Sequence, residues 1–188
     1  DGKYYDSLYT KSVETRTVTV NGGELLLHNL TVTEQQEGAA ELLVTGGKIE
    51  ANGDIDVAYD MGVMGGGTVS ASNVSAGNNL GVSGSGSSLI VSGTLETLAM
   101  RVEKGGLVQT KDILVEKNLE VGTESSQVAG ITDEQRATLI SSGDLTAGEL
   151  RLRGDGLLQT GDSSITLTGA HMHGGAVWKM AGEHNTLN

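Results

Sequence analysis

Arg153-Gly154-Asp155 is the first grouping in this chain whose residue types could do chemistry. A guanidinium and a carboxylate held apart by one glycine form the tripeptide that integrin-type receptors read in many ligands. His171-x-His173 is the second. On a strand, this spacing puts both imidazoles on one face, as two metal ligands require. His184 follows 11 residues later, but no third and fourth ligand is evident. The carboxylates Asp54, Asp56, Asp112, Asp144, Asp155 and Asp162 are spread along the chain rather than gathered into the facing pair that glycoside cleavage needs. There is no G-x-S-x-G elbow for a serine nucleophile and no intact Gly-rich Ca²⁺ nonapeptide. The reading is therefore a chain that is not an enzyme, with no metal and no cofactor.

The element that carries these residues is a repeat. "LIVSGTLETLAMRVEKGGLVQTKD", Leu89 to Asp112, lies over "LISSGDLTAGELRLRGDGLLQTGD", Leu139 to Asp162, at a constant offset of 50, with 11 of 24 positions identical. Gly93 matches Gly143, Gly106-Leu107 matches Gly156-Leu157, and Gln109-Thr110 matches Gln159-Thr160. Upstream, Leu25, Ile49 and Val69 each follow a Gly pair, at separations of 24 and then 20. Short alternating strands between Gly or Asn turns, in units of about 20 to 25 residues, are the mark of a β-solenoid. The offset of 50 is then two coils, one with an insertion. In "ELRLR", Leu150 and Leu152 point in while Arg151 and Arg153 point out; in "AMRVE", Met100 and Val102 point in. Leu95, Val102, Leu107, Leu145, Leu152 and Leu157 are the expected core. Eight or nine such coils would stack to roughly 40 Å.

The composition suits a narrow interior. Aromatics make up 3 % of the chain and Phe is absent, so Val, Leu, Ile and Ala must fill the core. With 29 Gly and no Pro, the turns rest on Gly, Asn and Asp. No Cys is present, which excludes disulfides and thiolate chemistry. A net charge of −12 repels nucleic acid and anionic lipid, so neither is an expected partner. No apolar run is long enough to span a bilayer as a helix. "ITDEQRATLI", residues 131–140, has the Thr132-x-x-Gln135 pattern of a capping box and predicts a short helical insertion. Residues 1–12 read as a linker or cap, and the start at Asp1 rather than Met reads as a mature or truncated piece.

"GGAVWKMAGEHNTLN", Gly174 to Asn188, adds a lone Trp178 after small residues, then Met180, a polar turn and Leu187. This resembles the junction late in the passenger domains of Gram-negative autotransporters, the pertactin-like group. The Gly-rich, Pro-free, Cys-free repeats are similar to the stems of their self-associating and adhesive members. The resemblance implies a right-handed parallel β-helix over residues 13–170, a junction over 171–188, and a place on the bacterial surface or in the medium. It implies no insertion of this fragment into a membrane. The expected role is adhesion or self-association, with a copy on a neighbouring cell or a host surface protein or glycan as partner. A passive spacer for an N-terminal effector and a carbohydrate-active β-helix enzyme are the alternatives. Arg153, Gly154 and Asp155 fall where the other copy of the repeat has Glu103-Lys104-Gly105. They are expected to form an exposed, dispensable turn.

Overall fold

A computed structural model describes residues 11–33, 40–123, 131–132, 135–182 and 186–188. The Tyr-containing start at 1–10 and His184 lie outside them. The chain is an all-β, right-handed parallel β-solenoid of about 8 turns. The first coil holds β1 (Val13–Thr15), β2 (Val18–Asn21) and β3 (Glu24–Leu27). The second holds β4 (Leu30–Val32), β5 (Leu42–Thr45) and β6 (Lys48–Ala51), and the third β7 (Ile55–Val57), β8 (Met61–Met64) and β9 (Thr68–Ala71). From there the first two strands of each coil fuse into one bent strand. The pairs are β10 (Val74–Ser83) with β11 (Ser88–Val91), β12 (Thr94–Glu103) with β13 (Leu107–Thr110), and β14 (Asp112–Val121) with β15 (Ala137–Ser141). They continue as β16 (Leu145–Leu152) with β17 (Gly156–Thr160) and β18 (Ser164–Met172) with β19 (Val177–Met180), and β20 (Thr186–Leu187) opens a further turn.

Each strand pairs in parallel with its counterpart one coil away, which gives three faces. The first face runs through β1, β4, β7 and the leading halves of the bent strands; the second runs through β2, β5, β8 and their trailing halves. The third face is the eight-stranded sheet from β3 to β19. The bend between the first two faces appears as a register shift, for instance between Thr97 and Met100. A single coil cannot bury its inward side chains, so like residues stack on like. Val44, Val63, Val82, Val102 and Val121 follow one another up the second face and end under Leu152, all of them buried. Met100 and Leu150 are also buried, whereas Arg101 and Arg151 point outward as their alternation requires.

On the third face the expected alternation is off by one residue. Val108 and Leu158 point inward with 0 % exposure. Leu107 and Leu157 sit in the outward column, in register with Thr138. Leu107 is half-buried there, whereas Leu157 is buried at 5 % exposure, as expected. The Gly-Leu-x-Gln-Thr string admits either phase because both Leu107 and Val108 are apolar.

Val108 pairs with Leu139, 31 positions on, whereas Val69, Leu89 and Val108 are spaced by 20 and 19. This places the insertion between β14 and β15 and accounts for the offset of 50 as two coils. Of the helix expected over 131–140, the described residues show a 3₁₀ position at Gln135, and 137–140 are strand instead. Thr132 donates its N–H to Gln135 Oε1 at 3.1 Å, and Gln135 N–H reaches Thr132 O at 3.0 Å, so the capping pattern closes a turn. The chain then enters β15, where Ala137, Leu139 and Ser141 go in while Thr138 and Ile140 go out. A period of two with β-branched residues favours the strand over the local turn signal. β18 runs through residue 170 to Met172.

One corner is held by an Asn/Asp ladder. Asn29 Oδ1 accepts the N–H of Asp54, Asn73 Oδ1 that of Thr94, Asp112 Oδ1 that of Asp144, and Asp144 Oδ1 that of Ser164, all at 2.8–2.9 Å. Backbone donors that would be orphaned at the turn are satisfied by the coil below. Asp54, Asp112 and Asp144 are therefore parts of the scaffold. The same ladder explains Gly93 and Gly143, since a Cβ on either would run into Oδ1 of Asn73 or Asp112.

Candidate functional site: a charged ladder on the second face

The outward column of the second face reads Gly62, Gly81, Arg101, Glu120, Arg151 and His171 in successive coils. Alternating charge along a column follows from the stacking. The repeat brings Arg101 and Arg151 to equivalent places two coils apart, and Glu120 fills the coil between them. Arg101 Nη2 lies 3.0 Å from Glu120 Oε2, and Arg151 Nη1 lies 3.2 Å from Glu120 Oε1. Arg153 Nη2 also approaches Glu120 Oε1, at 3.4 Å. Flanking carboxylates complete the network. Glu103 pairs with Arg101 at 3.4 Å, Glu149 with Arg151 at 2.6 Å, and His171 Nε2 lies 3.0 Å from Glu149 Oε1.

Glu120 is 8 % exposed, and three guanidiniums converge on it. The Arg151 guanidinium is held above its ordinary range, first by its hydrogen bond to Glu149 and then by that carboxylate's charge, with Glu120 adding to both. Arg101, Arg151 and Arg153 balance Glu103, Glu120 and Glu149, so this face contributes little to the net charge. Beside the ladder, where Gly81 and Ala99 leave space, lies a shallow groove of about 400 Å³ edged by Asn79, Asn118, Arg101 and Glu120.

The tripeptide expected as an exposed turn is tied into the scaffold. Asp155 is 7 % exposed, and its Oδ1 accepts both the N–H and the hydroxyl of Thr123. Gly154 is buried, and Arg153 is turned toward Glu120. The expectation that Arg153-Gly154-Asp155 is exposed is thereby corrected. Its cause is the insertion: Thr123, which starts it, reaches the turn of the following coil. His171, in β18, and His173, just past its end, are both exposed. Among the described residues, no group of three or more His, Asp or Glu is placed to hold a metal.

Sequence reasoning missed the ladder, although the offset of 50 carried its signal. Two arginines one repeat apart predict an acidic residue in the coil between them. Comparison with protein-family models, curated proteins and solved structures gives no match for this chain.

Proposed function

We propose that this chain is a length of surface-displayed β-helical stem that acts in adhesion or self-association. The observation that carries the reading is the form of the outer surface. It consists of flat, parallel-stacked faces on which short polar side chains recur coil after coil, as in the column Thr31, Asp56, Ser75, Glu96 on the first face. Such ladders offer many weak contacts along a length, and display of many copies multiplies them. The junction-like segment around Trp178 adds the autotransporter passenger as the vehicle and the Gram-negative surface or medium as the place. Trp178 stacks above Leu158 and donates to Thr160 Oγ1 at 3.4 Å, half-covering the last coil of the third face.

The partner is a second copy on a neighbouring cell, or a host surface protein or glycan. The reading does not rest on Arg153-Gly154-Asp155, whose carboxylate is engaged by Thr123. The test displays the chain on otherwise non-aggregating cells, mixed with labelled cells that lack it. Settling of the displaying cells together, with the bare cells left behind, is expected for self-association. Capture of displaying cells on host surfaces without mutual settling would assign the heterotypic partner. Dispersed cells that bind neither would leave only a passive spacer.

A further inference from the structure

Charge is sorted by face. The first face carries Glu14, Asp56 and Glu96 in its outward column, and the second carries the ion-pair ladder. The third face differs. Near its start, Lys48 bridges Glu24 and Glu50 at 2.7 and 2.6 Å. Among the described residues, no outward strand position of this face is charged over the five coils from Thr68 to Gln159. In a chain of net charge −12 this is the flank on which two copies can approach without facing like charges.

The pattern on that flank is also self-complementary. One outward column reads Ser70, Ile90, Gln109, Ile140, Gln159, with Gln109 on the middle coil and one isoleucine a coil to either side. Ile90 and Ile140 are half-buried and Gln109 is exposed. A two-fold axis at the level of Gln109 sets Ile90 of one copy over Ile140 of the other, twice, around a Gln–Gln contact. An interface that repeats its own patch in this way closes as a dimer.

We infer that the uncharged stretch of the third face, centred on Gln109, is the surface on which a second copy of this chain docks by an antiparallel two-fold. The inference rests on the self-association reading above and assigns it a face. Scattered isoleucines among Gln, Ser and Thr give contacts that are individually weak, and the absence of charge decides which of the three faces meets its like.

The test is sedimentation equilibrium of the chain and of Gln109→Glu, Gln109→Lys and Thr166→Glu, with melting curves to show that each is folded. Gln109 and Thr166 are both exposed, so folding is expected to be unchanged. Each Gln109 variant sets like charges close together across the axis and is expected to associate at least about tenfold more weakly at moderate salt. An equimolar mixture of the Glu and Lys variants is expected to recover the wild-type affinity. Thr166→Glu, on the first face, is expected to shift it less than about threefold. Wild-type affinity in both Gln109 variants would overturn the assignment to this face while leaving self-association standing. So would equal weakening by Thr166→Glu with no recovery in the mixture. A wild-type chain that is monomeric throughout would overturn both.

Discussion

Asp155 shows how a residue's chemistry is set by a partner far away in sequence. Read in its own string, it belongs to a receptor motif; in the fold its carboxylate caps Thr123, 32 positions upstream. Nothing local announces that contact. Asp155→Ala is expected to cost about 1–2 kcal/mol, since it strands the part-buried N–H and hydroxyl of Thr123, and chemical denaturation would show it as a lowered midpoint. A midpoint within error of wild type would return the tripeptide to the surface. Glu120 is the other residue whose role comes from stacking. Glu120→Ala removes the shared partner of Arg101, Arg151 and Arg153 and leaves them crowded. The arginines are partly exposed, so water screens much of the loss, and a cost of about 1–2 kcal/mol is expected. It should shrink as salt is added, which a cavity-type loss would not do.

At the scale of the element, alternation was legible wherever one phase alone fitted. Leu150 and Leu152 inward with Arg151 outward left no choice, and Leu152→Asp is expected to lower the melting temperature sharply by burying an unpaired charge. Leu107-Val108 fitted both phases, so only the neighbouring coils could decide. The helix expected at 131–140 was drawn from a capping pattern that does close a turn, but the alternation of Ala137 to Ser141 outweighed it. The corner ladder was visible as Asn, Asp and Gly at turns, without its direction of bonding. Asn73 bonds upward to Thr94 N–H and downward to Asp54 Oδ1, at 2.9 and 2.8 Å. Asn73→Ala is expected to cost about 1–2 kcal/mol, and Gly93→Ala more than a surface substitution because its new methyl meets the same amide. Thr166→Ala, exposed and outside the ladder, should stay within about 0.5 kcal/mol, and calorimetry on the three would rank them.

The whole molecule was the most legible scale. Low aromatic content, abundant Gly and a repeat at an offset of 50 together specify a narrow stacked interior, and the structure supplies one. The distribution of charge over its sides was not legible. It depends on which residues of different coils fall into one column, and that needs the register and the place of the insertion. With both known, a net charge of −12 becomes acidic and ion-paired faces beside one whose outward strand positions carry no charge from Thr68 to Gln159 among the described residues. On the proposed self-association, repulsion between copies would be a long-range term that salt can screen, while the contacts on the third face would be short-range and uncharged. The most direct test is the weight-average mass of the purified chain by sedimentation equilibrium, taken across ionic strength at neutral pH and then as pH falls toward the isoelectric point of about 4.6. The expected result is a mass that rises from monomer toward dimer as salt increases or as pH approaches that point. A mass that stays at 19.4 kDa at high concentration under every one of those conditions would contradict self-association.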